Sequence, residues 1–171
     1  MKRIFKLFIA FFMSATLFAC GGTTPKEFKK EGITITLTSE FVEGSNINAQ
    51  VLYTSNKEMF MGNRFLPSYY PSTIIIDKDD PTAFADYLRN EAYLQYDNNP
   101  SDYSTEETGN DGTKFAWIYY DNTVSSYTYT YMLVVKISDS YVYVMNFATL
   151  KSEFASHSDN FMTYAKSIVV E

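Results

Sequence analysis

The chain has one histidine, His157, and any histidine-dependent catalysis would have to use it. Its neighbours Ser156, Ser158 and Asp159 point to other sides of a helix, because adjacent helical residues do not face one another. A Ser-His-Asp arrangement would therefore need distant partners. Since His157 also falls on an apolar stripe with helical spacing, we predict a structural histidine. The alternative is a cell-envelope hydrolase that uses His157 or loop carboxylates.

Loop carboxylates form two clusters that could bind a cation or act in pairs. The clusters comprise Asp77, Asp79 and Asp80, and then Asp97, Asp102, Glu106 and Glu107. The first fails the calcium-loop spacing, because the twelfth position is Leu88 instead of glutamate and the sixth is not glycine. Glu106 and Glu107 are adjacent on a predicted strand and face opposite sides. We therefore predict no catalytic set, no metal site and no cofactor.

Two tyrosines stand between prolines in the segment 67–71. Proline has no backbone N–H to donate, so this segment cannot be a central strand. Aromatic rings offer large contact area at little entropic cost, and the acidic residues that follow would suit a basic or sugar-bearing partner. The alternative is that both rings fold back onto the core or a sheet edge. The candidate binding surface comprises Tyr69, Tyr70, Asp77, Asp79 and Asp80.

The one cysteine, Cys20, closes an N-terminal segment built like a bacterial lipoprotein signal. Basic residues at 2, 3 and 6 precede an apolar stretch over 7–17 that is too short for an ordinary membrane-spanning helix. Residues 17–20, Leu-Phe-Ala-Cys, resemble a lipobox, which predicts cleavage before Cys20 and its acylation. Several acyl chains would hold the protein at the extracytoplasmic face of a bacterial membrane. A buried cysteine behind a signal cut elsewhere is the alternative.

Length and charge predict one acidic domain after the signal. We predict a signal peptide over 1–19, a lipid anchor and tether over 20–31, and a single domain over 32–171. The signal holds three basic residues and no acidic one, so its removal changes the net charge from −6 to −9. A nucleic-acid-binding protein usually presents a basic patch, so we expect no nucleic-acid partner. The partner that we expect is therefore a protein or a glycan, and the sequence does not indicate the oligomeric state.

Apolar periodicity predicts the elements that must position these residues. Alternation with period two indicates strands, and the turn sequences at 55–58, 109–112 and 138–140 indicate hairpins. The predicted strands are 33–38, 49–55, 59–65, 103–108, 113–120, 128–137 and 141–150. The last of them is apolar on both faces, which is typical of a central strand covered on both sides.

Two helices are predicted, one between the strand groups and one at the end. Asp80 and Pro81 begin the first, over 81–96, because proline suits the first helical position and aspartate caps a helix. The apolar stripe of the second runs from Leu150 to Ile168 at helical spacing and includes His157. We expect the last helix to lie on the sheet.

This order of elements, together with four stretches of sequence, resembles the PsbP-like family. The stretches are Gly32–Leu37 with Phe41, residues 53–57, residues 141–148, and Phe161 with residues 167–168. The family includes photosystem extrinsic subunits, a Ran-binding import factor and many bacterial lipoproteins of unknown function. The resemblance implies an α+β fold, an antiparallel sheet of about six or seven strands with helices packed on it in an α/β/α sandwich. It implies no photosynthetic or Ran-related activity, because no metal or partner residue of those relatives matches here.

Taken together, these features predict a membrane-anchored extracytoplasmic lipoprotein. Its domain would be a non-enzymatic binding or accessory module for a protein or cell-surface partner. Fold resemblance by itself does not establish such a function, which must be argued from a site.

Overall fold

The computed structural model describes residues 24–93 and 104–171. Cys20 and the predicted signal peptide lie outside the described residues, as do Asp97, Asp102 and the predicted end of the first helix at 94–96. Within the described ranges, neither helix has the length and apolar character that crossing a bilayer demands.

Seven antiparallel strands form the main sheet, in the order β3-β4-β5-β9-β8-β7-β6. They are β3 (Val42–Glu43), β4 (Val51–Thr54), β5 (Met59–Phe65), β6 (Thr105–Thr108), β7 (Lys114–Val124), β8 (Tyr127–Ile137) and β9 (Val142–Leu150). The middle strand, β9, pairs with β5 on one side and β8 on the other, so its predicted central position is confirmed. Eight of its nine residues are buried, because apolar layers cover both faces.

Three further strands form a second antiparallel sheet, in the order β1-β2-β10, where one sheet was expected. They are β1 (Pro25–Lys30), β2 (Ile33–Thr38) and β10 (Val169–Val170). β2 buries alternate residues as its periodicity predicts, but it does so in this small sheet and not in the main one. The described strands therefore belong to two sheets.

Residues 25–30 differ from the tether that composition predicts over 20–31. They pair with β2 throughout, from Pro25 opposite Thr38 to Lys30 opposite Ile33. A tight turn at Glu31 and Gly32 closes this hairpin, and both residues have positive φ, 51° and 74°. Charged side chains are tolerated because β1 is an edge strand that exposes most of its residues. The folded part of the chain therefore includes these residues.

The main sheet is covered by one helix on each side. The α-helix α1 (Thr82–Leu88) passes into a π-helical turn, Arg89–Tyr93, whereas the sequence predicts a regular helix from 81. Helix α2 (Phe154–Lys166) lies on the other face together with the small sheet. The predicted α+β fold, a sheet with helices packed on it, is confirmed.

Each face of the main sheet has its own apolar core. The α1-side core contains Phe84 and Leu88 of α1 against Leu133, Val135, Val142 and Val144. The α2-side core contains Phe161 and Ala165 of α2 with Ile33, Ile35, Leu37, Met132 and Phe147. Successive side chains of β8 and β9 point to opposite faces of the sheet, so each strand contributes one set of side chains to the α1-side core and the other set to the α2-side core.

Candidate functional site

The candidate binding surface lies in residues 66–80, hereafter the 66–80 segment, which connects β5 to α1. Three backbone hydrogen bonds fold its first half into tight turns: Tyr69 N–H to Leu66 C=O at 2.9 Å, Tyr70 N–H to Pro67 C=O at 3.1 Å, and Ile74 N–H to Pro71 C=O at 3.0 Å. The prolines favour such turns because they fix φ and cannot join a sheet ladder. The segment therefore presents its side chains from a defined backbone.

The structure separates the two tyrosines predicted to form an exposed pair. Tyr69 is 57% exposed, whereas Tyr70 is only 9% exposed. The Tyr70 ring packs edge-on against Phe84, with the ring centroids 4.7 Å apart, and also contacts Tyr87. Burial of this ring in the α1-side core stabilises the segment and removes Tyr70 from the candidate surface.

Two apolar residues that sequence reasoning missed join Tyr69 on the outside of the segment. Leu66 is 52% exposed and Ile75 is 67% exposed. Their neighbours Ile74 and Ile76 are partly buried and pack against the α1-side core. Alternation of inward and outward residues over 74–76 is the sequence signal that could have identified Ile75.

The three aspartates of the segment are exposed, as the sequence predicts, but they also order the local backbone. Asp77 Oδ1 accepts the Asp79 N–H at 2.8 Å, and Asp80 Oδ1 accepts the Thr82 N–H at 3.2 Å. Hydrogen bonds from the Thr82 side chain and backbone hold the pKa of the Asp80 carboxyl below its usual value. Asp80 thus orders the turn that leads into α1, and its negative charge is maintained at neutral pH.

Lys78 and Asp139 connect the segment to the β8–β9 turn through an exposed ion pair, with Nζ and Oδ1 2.5 Å apart. Their hydrogen bond raises the pKa of the Lys78 ammonium and lowers that of the Asp139 carboxyl. An exposed pair of this kind stabilises a fold only slightly. It does, however, neutralise the charge of Lys78, which is the one basic residue of the segment.

His157 contacts a buried carboxylate that sequence reasoning missed, Glu58 in the β4–β5 turn. The Nδ1 atom of His157 lies 2.6 Å from Glu58 Oε1, and Asn160 Nδ2 donates to the same oxygen at 3.2 Å. The Tyr164 hydroxyl donates to Glu58 Oε2 at 3.3 Å. We call these four residues the Glu58 cluster. The three helical residues share one face of α2 and attach it to the β4–β5 turn.

The Glu58 cluster offers a histidine–carboxylate pair without an adjacent nucleophile. The other ring nitrogen of His157, Nε2, lies 3.7 Å from Glu153 Oε2, so a carboxylate oxygen lies near each nitrogen of the ring. Burial and the nearby Glu58 charge raise the pKa of the Tyr164 phenol to about 12, so it is a protonated donor at neutral pH. Nucleophilic catalysis would need a further group in reach of His157.

An ion pair between the buried Lys136 and the more exposed Asp111 fastens the β6–β7 turn to the end of α2. Lys136 Nζ donates to Asp111 at 2.9 and 3.1 Å and also to the Ile168 carbonyl. Burial lowers the pKa of the Lys136 ammonium. Burial alone would raise the pKa of Asp111, but hydrogen bonds from Lys136 and Thr113 outweigh it and lower that pKa. The three contacts of Lys136 Nζ give the pair a structural role.

Carboxylates elsewhere do not form a cation site in the part of the chain that the structure describes. Glu106 pairs with Lys114 at 3.0 Å, whereas Glu107 pairs with Lys166 at 3.2 Å, so the two glutamates face different ways as predicted. Across residues 24–93 and 104–171, no three histidine, cysteine, aspartate or glutamate side chains are grouped to hold a metal ion.

The described architecture is shared by several solved structures. The cyanobacterial PsbP protein (CyanoP) of Synechocystis sp. PCC 6803 superposes with a TM-score of 0.62 at 12% identity, over 92% of this chain and 98% of that one. The Ran-binding protein Mog1p of Saccharomyces cerevisiae gives 0.55 at 12% identity, over 87% and 96%. A Bacteroides thetaiotaomicron VPI-5482 protein gives 0.53 at 13% identity, over 85% of this chain and 48% of that one.

Sequence comparison gives no relative: no protein-family model matches the chain, and no curated protein matches it. The similarity is therefore one of fold, and it agrees with the resemblance carried by residues 32–37 and 141–148. The chain has the PsbP-like fold, an antiparallel sheet with helices packed on it.

Proposed function

We propose that the chain is a membrane-anchored extracytoplasmic lipoprotein whose domain binds a protein partner through the 66–80 segment. The observation that carries the binding proposal is the exposure of Leu66, Tyr69 and Ile75 within ten residues. Seven large apolar side chains are exposed in the described residues, and these are three of them. Apolar side chains that gather at one surface segment, and not singly, are typical of interaction sites.

The segment is also prepared for binding, since its backbone turns and the buried Tyr70 ring hold it in place. A pre-ordered surface loses less entropy when a partner docks, so more of the contact energy appears as affinity. The adjacent Asp77 and Asp79 add negative charge, which favours a partner with basic residues around an apolar contact. A glycan that stacks on Tyr69 is the alternative occupant, and photo-crosslinking at position 69 distinguishes it from a protein.

Substitution of the outer apolar residues should weaken binding without unfolding the domain. We expect the double change Leu66→Ser and Ile75→Ser to lower affinity for the partner at least tenfold, a loss of about 1.4 kcal/mol. The partner is first captured by a photo-crosslinking amino acid at position 69 in intact cells, identified by mass spectrometry, and purified. Binding of the wild type and the variant is then measured by calorimetry.

The matched control is Ile47→Ser, because Ile47 is also an exposed apolar residue but lies in the β3–β4 connection. Equal affinity losses for Ile47→Ser and for the double variant would contradict the assignment of the 66–80 segment. Recovery of a glycan without any cross-linked protein would show that the partner is a sugar and not a protein. Thermal unfolding of each variant shows whether a loss of binding reflects a loss of structure.

The anchoring part of the proposal rests on residues 17–20 and their similarity to a lipobox. We expect the wild-type protein to remain in the membrane fraction after a high-salt wash and the Cys20→Ser variant to be released or to remain uncleaved. Acyl chains on one residue hold a protein by apolar burial, which salt does not screen. Cell fractionation with radiolabelled palmitate measures both properties, and equal retention of the two proteins would contradict the anchor.

A hydrolase that uses His157 remains the alternative from another functional class. Its strongest support is the 2.6 Å contact between His157 Nδ1 and Glu58 Oε1. The contacts of the Glu58 cluster also explain His157 as a residue that fixes α2 to the β4–β5 turn. We do not propose a hydrolase, because the described residues bring no nucleophile to this pair.

A further inference from the structure

The position of β1 limits how far the domain can move from an anchor at Cys20. Four residues separate Cys20 from Pro25, where β1 begins. Even a fully extended chain spans about 3.4 Å per residue, so Pro25 lies within about 17 Å of the anchored residue. A compact domain of this size has a radius of gyration of about 15 Å and is therefore about 40 Å across. The tether is shorter than half the width of the domain.

The middle of the 66–80 segment packs on the side of the main sheet opposite to β1, whereas Arg64, two residues before the segment, reaches Glu31 in the turn after β1. Phe28 of β1 packs against the α2-side core and its ring lies 4.7 Å from that of Tyr53. Tyr70 and Ile74 of the 66–80 segment pack against the α1-side core. The seven-stranded sheet separates these two cores. A tether this short keeps Pro25 close to the membrane and so favours orientations in which the layer that contains β1 is nearer to the lipid than the opposite layer.

Charge is balanced on the exposed side of residues 25–31 and their ion-pair partners, hereafter the β1 surface, although the mature domain is strongly acidic. Three ion pairs involve this surface: Lys29 with Glu171 at 2.8 Å, Lys30 with Glu43 of β3 at 2.5 Å, and Glu31 with Arg64 of β5 at 3.2 Å. Lys26 and Glu27 of β1 add one charge of each sign. Anionic lipid headgroups repel an acidic surface, but they do not repel a balanced one.

We propose that the anchor holds the domain in one orientation, with the β1 surface against the lipid headgroups and the 66–80 segment directed away from the membrane. The occupant of the β1 surface is the bilayer itself. This inference rests on the proposed lipidation of Cys20 and adds to it the direction in which a partner must approach. A partner in the same membrane would have to extend beyond the anchored domain to reach the 66–80 segment.

Site-specific quenching by lipid headgroups tests this orientation. The lipidated protein is reconstituted in phosphatidylcholine vesicles with phosphatidylglycerol and a small fraction of lipid that carries a headgroup nitroxide. A fluorophore is attached at Lys26→Cys or Ser72→Cys, both exposed positions, one in β1 and one in the 66–80 segment. Cys20 is blocked by its thioether. We expect quenching at position 26 to be at least threefold stronger than at position 72.

The matched control inserts a flexible Gly/Ser linker of about 20 residues after Gly22, which lengthens the reach of the tether several-fold. The difference between positions 26 and 72 should then disappear. With the native tether, equal quenching or stronger quenching at position 72 would overturn the orientation while leaving the anchor intact. Protein that fails to float with the vesicles would instead overturn the anchor, and the orientation with it.

Discussion

Asp111→Ala should lower the free energy of unfolding by about 3 kcal/mol, because the change leaves a buried ammonium without its counter-charge. Lys136 is only 1% exposed, and its Nζ lies 2.9 Å from Asp111 Oδ2. The remaining carbonyl of Ile168 cannot neutralise the charge. Urea unfolding followed by the fluorescence of the single tryptophan, Trp117, measures the loss at pH 7.

Two variants show whether burial is the cause. Adding Lys136→Met to Asp111→Ala removes the unpaired charge and should recover a large part of the lost stability. Asp139→Ala breaks the exposed pair with Lys78 and should leave the free energy of unfolding almost unchanged. Equal losses for Asp111→Ala and Asp139→Ala would show that the Asp111 pair behaves as a surface pair.

The domain should lose stability as the pH rises from about 10 to about 12, owing in part to Tyr131. Burial raises the pKa of the Tyr131 phenol from 10.0 to about 12. In this window the unfolded chain loses the proton and the folded one keeps it, so the contribution is complete below pH 10 and lost above pH 12. A difference of this size between the pKa of the folded and of the unfolded chain corresponds to about 2.7 kcal/mol of stability.

Urea unfolding at a series of pH values between 9 and 12 measures this dependence. Tyr131→Phe should reduce the slope of stability against pH, because phenylalanine has no proton to lose. The matched control is Tyr127→Phe, since Tyr127 is exposed on the same strand. If stability falls with pH as steeply in Tyr131→Phe as in the wild type, the raised pKa of Tyr131 is not the cause of the pH dependence. Tyr164, whose pKa is also raised to about 12, accounts for part of the slope that remains.

Periodicity predicts the main sheet because most of its strands have a consistent inward face. Strand β9, apolar on both faces, is correctly placed at the centre. Strand β1 escapes prediction because Phe28 is its only large apolar residue, and edge strands tolerate the lysines and glutamates around it. Strand β10 is too short for a periodic pattern, and its pairing with β2 joins residues far apart in the chain.

Local sequence predicts the exposed acidic stretch of the 66–80 segment but not which tyrosine turns inward. Tyr69 and Tyr70 are adjacent and chemically identical, and the position of Phe84 in the folded domain decides between them. Glu58 was missed for a similar reason. It lies 99 residues from His157, and nothing in its hairpin sequence indicates a partner on the last helix.

The direction of the β1–β2 hairpin also determines how the domain would respond to tension on the anchor. A pull at Pro25 acts first on the Pro25–Thr38 pair, at the open end of the hairpin, and then on each following pair toward the Glu31–Gly32 turn. Strands loaded in this way unzip pair by pair instead of shearing together. Release of the six residues of β1 would lengthen the tether by about 20 Å and leave the seven-stranded sheet paired. If Cys20 is acylated as proposed, the first strand would be an extensible link between the membrane and the rest of the domain.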